Sequence, residues 1–289
     1  MKESISKIIS DIFPNNLDFE FSLLGGMTNK NYLVSVDGKR YVLRSPGNMT
    51  SALISRENEK NNSELMSLSG FNVHTQYFDA TSGVKMTEFL EDSISLTREN
   101  VCNDENIRQI AMRLYQLHNS KIIFKNEFNV FEKFNQYMRL LRDKNIFFQY
   151  NDNIDEILSF FMKLSSKNIN SKLCPCHNDL VPENILLKDK DIFFIDWEYS
   201  GMNSYLFDIS AFFIEAQLEY DKQVIFLNYY DSSLNYNELE NEILTHQFTQ
   251  DVLWFLWTLV KEENNEFFGD YAQKRIDRAY TTMQKIISL

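Results

Sequence analysis

The sequence predicts an α+β chain: a small antiparallel sheet within the first 90 residues, then a larger, mainly helical part. Two patterns carry this. Before Leu90, short runs of aromatic and β-branched residues are separated by Gly- and Asp-bearing turns. From Val101 onward, apolar residues recur at helical spacing. A third observation is a break in that helical part: the segment Leu173 to Gly201, LCPCHNDLVPENILLKDKDIFFIDWEYSG, reads as a polar loop followed by a hairpin.

Residues 1 to 14 place Ile5, Ile8, Ile9 and Ile12 on one face of a helix that ends at Pro14. Strands follow at Phe19 to Leu24, Tyr32 to Val36 and Arg40 to Arg44, joined by Gly25-Gly26-Met27-Thr28-Asn29 and by Asp37-Gly38. A helix from Ser55 to Leu68 stops before Gly70. Two more strands, Val73 to Phe78 and Val84 to Met86, lead to Thr87-Glu88-Phe89-Leu90. Ile107, Ile110, Ala111, Leu114 and Leu117 form one buried stripe that closes at His118, a histidine read as a core or cap residue. Phe131, Phe134, Met138 and Leu141, then Ile154, Leu158, Phe161 and Leu164, repeat the pattern. The segment Lys121 to Asn170 is read as packing alone. Phe207-Asp208 opens a helix through Glu219, with Asp208 as its N-cap and Glu215 on the same face. Trp254 and Trp257, three apart, share a face of a later helix, and Tyr271 follows a loop.

With 289 residues, 44% of them hydrophobic, the chain can bury a substantial core in one large domain or two lobes. Its net charge of -12 argues against a nucleic-acid partner, since no basic excess is available to track phosphates, and suits a small cationic one. The apolar run Val252 to Val260 is far short of the roughly 20 residues a bilayer requires. The start, MKESISKIISDIF, lacks the long apolar segment of a signal peptide, so the expectation is a cytoplasmic protein with no membrane partner. Cys102, Cys174 and Cys176 make no disulfide framework. Cys174, Cys176 and His177 lack a second ligand cluster for zinc, and the cysteines are read as buried small hydrophobes. Oligomerisation is left open.

The hairpin segment carries the chemistry. Asp179 and Asn184 lie on one loop, the apolar residues Ile185, Leu186 and Leu187 form a first strand, and a turn at Lys188-Asp189-Lys190-Asp191 returns the chain so that Asp196 arrives beside Asn184. One carboxylate to orient an attacking hydroxyl, with an amide and a second carboxylate to hold magnesium, is the set phosphoryl transfer needs.

The order H-x-D, Asn five residues on, strand, Asp resembles the catalytic and metal-binding loops of protein-kinase-like phosphotransferases, with His177-Asn178-Asp179 for H-R-D and Ile195-Asp196-Trp197-Glu198 for D-F-G. CHNDLVPENILL, FIDWEYSGMNSYLFDISAFFIE and GGMTNKNYLV are similar to segments of the choline/ethanolamine kinase family, and especially of its bacterial choline kinases. The resemblance covers nearly the whole chain. It implies a protein-kinase-like bilobal fold, with a nucleotide-binding lobe at residues 1–90, a catalytic and substrate-binding lobe at 91–289, and ATP in the cleft between them.

It further implies Asp179 as the catalytic base, Asn184 and Asp196 as Mg2+ ligands, and His177 and Asp208 as supports of the catalytic loop, while Gly25, Gly26, Thr28 and Asn29 cover the phosphates of ATP. Arg44 stands where such folds place a basic residue against the nucleotide. Its expected partner is Glu59, eleven residues before Gly70, with Glu57 of the R-E dipeptide as the alternative. Glu88 and Phe89 fall at the hinge, where main-chain groups meet adenine. W-x-x-W followed by F-x-G-D-Y-A-Q-x-R matches the region where aromatic faces enclose a trimethylammonium group. That places Trp254, Trp257 and Tyr271 around choline, Tyr220 as a further wall and Glu215 as the counter-charge. The expected reaction is ATP-dependent phosphorylation of choline. Kinases for ethanolamine or an aminoglycoside, or a silent kinase-like binding module, are the alternatives.

Overall fold

Ile5 and Ile9, one turn apart on the first helix, are buried against Tyr32, Val34, Val36, Tyr41, Leu43 and Met86, which alternate along the strands that follow. In this computed structural model, which describes residues 2–15, 18–26, 29–47, 50–165 and 172–289, that contact builds the first of two compact units, Met1–Ser93 and Ile94–Leu289. The helix is α1 (Lys2–Ile12), and the sheet is built from β1 (Phe19–Gly25), β2 (Lys30–Val36), β3 (Lys39–Ser45), β4 (Thr75–Phe78) and β5 (Lys85–Glu88). Its order, β1-β2-β3-β5-β4, is antiparallel throughout. Period-two alternation puts one side of β2 and β3 into the core. Between β3 and β4 lie a short α2 (Thr50–Leu53) and α3 (Arg56–Leu68), whose start is capped by the Ser55 hydroxyl accepting from the Asn58 N–H.

The second unit begins with β6 (Ile94–Ser95), α4 (Arg98–Val101), α5 (Asp104–His118), α6 (Val130–Leu140) and α7 (Ile154–Ser165). The predicted stripe on α5 is buried along its length, from Ile107 to Leu117. On α6 the stripe is displaced from the expected one: Val130, Phe134 and Tyr137 are buried, while Phe131 and Met138 lie at its margin. The 3.6-residue period favours i, i+4, i+7 from Val130 as readily as from Phe131, and packing decides.

Next come β7 (Leu173–Cys176), β8 (Ile185–Lys188), β9 (Asp191–Phe194) and β10 (Gly201–Ser204). β7 pairs with β10, while β6, β8 and β9 form a separate three-stranded sheet. The chain ends in α8 (Tyr205–Glu215), α9 (Tyr220–Tyr230), α10 (Tyr236–Glu262) and α11 (Tyr271–Ser288). α10, about 40 Å long at 1.5 Å per residue, packs along α11, α8 and α6.

The expected helix from Phe207 through Glu219 is corrected at both ends. It starts at Tyr205, and the Ser204 hydroxyl, not Asp208, caps it by accepting from the Leu206 N–H. It stops at Glu215, and Gln217 turns the chain through a left-handed backbone conformation into α9. Asp208 sits in the first turn with its carboxylate directed elsewhere. Among the described residues no helix is long and apolar enough to cross a membrane.

Candidate active site

The strand run Ile185–Lys188 pairs with Asp191–Phe194 across a two-residue turn, with Ile185 opposite Phe194 and Lys188 opposite Asp191. This register carries Asp196 back beside Asn184: the Ile195 N–H donates to the Asn184 carbonyl at 2.9 Å. The Asn184 amide nitrogen donates to the Asp179 carbonyl at 3.0 Å, which turns its side-chain oxygen away from that bond. An amide oxygen and a carboxylate are hard donors of the kind Mg2+ takes, so Asn184 and Asp196 fit that ion. Asp196 itself is left-handed, with φ 64° and ψ 63°. A non-glycine residue held there is costly and marks a position over-determined by its surroundings.

The loop before the hairpin is held from beneath by Asp208, which is completely buried. Its carboxylate accepts the N–H groups of His177 at 2.8 Å and Asn178 at 2.7 Å, and also meets His118 Nε2 at 3.1 Å. His177 Nε2 bonds the Ile195 carbonyl at 2.8 Å, and its ring packs on Trp197. Asn178, left-handed at φ 65°, donates to the Tyr199 carbonyl at 3.0 Å and accepts from Asn203 at 2.8 Å. Asp179 is thus aimed by groups on both sides of it. Burial, with the negative fields of Asp196 and Glu215, pushes its carboxyl up to about 7 against the pull of Arg275. His118 is the satisfied core histidine expected, with Tyr230 on its other nitrogen at 2.9 Å.

The aromatic residues of α10 are buried and joined edge to face, Trp254 to Trp257 at 6.2 Å. Tyr199, three residues past Asp196, meets Trp254 at 5.0 Å, and Phe268 meets Trp257 at 5.1 Å. Tyr199 and Tyr271 both feel the charge of Asp179. Tyr137 of α6, fully buried, lies in the same field, so the segment read as packing alone contributes to this neighbourhood. Tyr220 is a correction. It is 56% exposed, packs on Tyr236 at 4.9 Å, and bonds Asn237. From Tyr236 to Trp254 is about 27 Å of helix, too far for Tyr220 to wall in the same ligand.

Glu215 is not a free counter-charge. Arg275 holds it at 2.5 Å and also pairs with Asp251 at 3.0 Å, while Arg278 bonds Asp251 at 2.6 Å and lies 3.6 Å from Glu215. Burial would raise the Glu215 carboxyl, but Arg275 and Arg278 hold it below the usual range. Arg275 also lies over the Tyr271 ring at 4.6 Å and donates to its hydroxyl. Two arginines and two acids therefore form the polar floor under Tyr271.

In the first unit, Arg44 pairs with Glu59 at 2.5 Å, and Glu57 is exposed. Arg56 at 2.6 Å and Lys85 at 3.2 Å reach the same carboxylate. Burial acts to raise Glu59, yet Lys85, Arg44 and Arg56 together hold it at about 2. Gly25 and Gly26 have φ of 127° and 124°, values side chains rarely tolerate, and a Cβ on Gly26 would stand 2.0 Å from the Asn29 carbonyl oxygen. The buried Asn29 accepts the Gly47 N–H at 3.3 Å, tying the end of this turn to the end of β3. Thr28 lies outside the described residues. The N–H groups of Glu88 and Phe89 are used on the carbonyls of His74 and Arg40, so a purine edge read at this segment must meet other main-chain groups.

These turn dihedrals set an expected result. Gly26→Ala displaces the backbone at Asn29 and raises the ATP KM well beyond any change from Gly25→Ala, whose added Cβ meets nothing within 4 Å. Equal effects of the two variants in steady-state kinetics would remove the close approach as the cause.

Residues 21–240 match the sequence profile of the choline/ethanolamine kinase family. Protein LicA of Haemophilus influenzae is 44% identical over 272 residues, covering 92% of this chain and 80% of that protein. The crystal structure of choline kinase LicA from Streptococcus pneumoniae superposes with a TM-score of 0.85 at 32% identity, covering 100% of this chain and 99% of that one. A structure of LicA in complex with AMP gives 0.84 at 32% identity, with 98% of each chain covered.

Proposed function

We propose that this chain, which belongs to the choline/ethanolamine kinase family, is an ATP-dependent kinase whose acceptor is choline. The activity as a kinase and the use of ATP follow from the family and from the LicA relatives. The choice of choline rests on one observation: the rings of Trp254, Trp257 and Tyr199 are joined edge to face, and Tyr199 lies within the electrostatic reach of Asp179. A quaternary ammonium has no N–H to donate, so π faces and diffuse negative charge are what can hold it, at about 0.5–2 kcal/mol per ring.

In this reading the choline hydroxyl is directed at the γ-phosphorus by Asp179, which accepts its proton as the new O–P bond forms. The bond from the γ-phosphorus to the bridging oxygen of ADP breaks, and ADP leaves with that electron pair. Asn184 and Asp196 would hold Mg2+, which would supply positive charge against the phosphates. Arg44, paired with Glu59, steadies the nucleotide, and Gly25, Gly26 and Asn29 offer main-chain N–H groups to it. Asp208 keeps Asp179 in register by fixing the two preceding N–H groups. Glu215, through Arg275, orients Tyr271 and adds to the negative field.

The test is Mg2+-dependent release of ADP with choline, ethanolamine and a panel of aminoglycosides. Choline is expected to give the highest kcat/KM. Trp257→Ala is expected to raise the choline KM about twofold to thirtyfold, one ring's worth, with little change in the ATP KM. Preference for ethanolamine or an aminoglycoside would return the tryptophans to a packing role, and equal effects on both KM values would do the same.

A further inference from the structure

Cys174 and Cys176 alternate with Pro175 on β7, so period two points both thiols to the same side of the strand. Their sulfurs are 3.6 Å apart. His118, 56 positions earlier than Cys174 by sequence number, arrives from the end of α5, and one of its ring nitrogens and both sulfurs lie within 4.8 Å of one another. All three residues are buried. The histidine next in sequence, His177, is committed to the Ile195 carbonyl. We propose that Cys174, Cys176 and His118 form a buried site for a thiophilic divalent cation of the Zn2+ class, separate from the magnesium-binding hairpin.

Three features of the geometry support it. Two thiolates on one tetrahedral zinc, each at about 2.3 Å, stand roughly 3.8 Å apart, and these sulfurs already approach that separation. His118 carries the support a ligating imidazole uses: its Nε2 meets the Asp208 carboxylate at 3.1 Å, which leaves Nδ1 with the lone pair. That lone pair now meets the Tyr230 hydroxyl at 2.9 Å. The phenol oxygen is therefore one group for the fourth position once the cation takes its place on Nδ1, and the Asn203 and Ser204 carbonyls that the thiols now bond are the others. Binding releases two protons, one from each thiol, and the unit formed from one dication and two thiolates is neutral, which suits a site without solvent. The donor set is sulfur and nitrogen, whereas Asn184 and Asp196 offer oxygen, so the two sites select different metals.

Asp208 links this cluster to the catalytic loop, since the carboxylate that meets His118 also holds the N–H groups of His177 and Asn178. A cation on Nδ1 polarises the imidazole and strengthens its bond to Asp208, so occupancy is expected to stiffen the loop and raise the melting temperature.

The experiment is titration of the reduced, full-length chain with Co2+ alone, followed to a plateau because the site is buried. The expected result is one equivalent bound with a thiolate-to-cobalt charge-transfer band and the intense visible bands of tetrahedral cobalt. Zn2+ displaces it, and excess Mg2+ does not. Cys174→Ala and Cys176→Ala each weaken or abolish the band, while Cys102→Ala, which removes the remaining cysteine, leaves it unchanged. Should either alanine variant prove unstable, proton release on wild-type protein decides independently, at two protons per Zn2+. Absence of the charge-transfer band, its survival in both β7 variants, or binding without proton release would overturn the site.

Discussion

Asp179→Asn is expected to lower kcat by about 10²–10⁴-fold, the usual contribution of a positioned general base, while ATP binding persists. The amide keeps the shape of the side chain, and the Asp208 bonds to His177 and Asn178 that position it are made by the main chain. The wild-type pH profile should carry its signature. With Asp179 pushed up to about 7 by burial, Asp196 and Glu215, the free enzyme loses base as pH falls, and kcat/KM declines tenfold per unit below that value. Stability runs the other way. The folded state retains a proton that the unfolded carboxyl gives up near 3.9, so this group's contribution is full below about 4 and is lost as pH rises through about 7. Asp179→Asn should therefore melt higher than wild type above pH 7. A variant with near-normal turnover, or an acid limb that survives in its residual activity, would remove Asp179 as the base.

Glu59→Gln is expected to be the most destabilising conservative change in the first unit, by about 3–5 kcal/mol, the usual cost of breaking a buried ion pair from one side. Three cationic side chains, Arg44, Arg56 and Lys85, share that one carboxylate, and all are nearly fully buried. Its depressed carboxyl, at about 2, contributes stability in full above the unfolded value near 4.3, and this is lost as pH falls through about 2. The measurement is thermal unfolding at neutral pH, with Glu57→Gln as the control. Because Glu57 is exposed, that variant should melt within about a degree of wild type, as surface changes do. Similar losses from the two variants would show that Glu59 does not anchor the cluster.

The hairpin that carries Asn184 and Asp196 was legible from sequence because its logic is local. A polar loop, three apolar residues, the charged turn Lys188-Asp189-Lys190-Asp191 and a second apolar run specify a hairpin, and its register returns Asp196 to Asn184. Helix α1 and the stripe on α5 were legible for the same reason, since period fixes which side chains share a face. The Arg44–Glu59 pair needed more: both Glu57 and Glu59 lie in the first turn of α3, and only the rotation of that helix against the sheet buries one and exposes the other.

What the sequence determined by itself was the order of chemical groups along the chain: the Gly25-Gly26 turn, Asp179, Asn184, Asp196, and the tryptophan pair on one helical face. Only the tertiary structure decided which distant groups meet. It brought Tyr199 to Trp254, put Tyr137 in the field of Asp179, removed Tyr220 to the far end of α10, gave Glu215 to Arg275, and set His118 beside Cys174 and Cys176. Periodicity reports the face a residue occupies within its own element. The partner across that face depends on how helices far apart in sequence pack together, and that is set by the shape of the whole core.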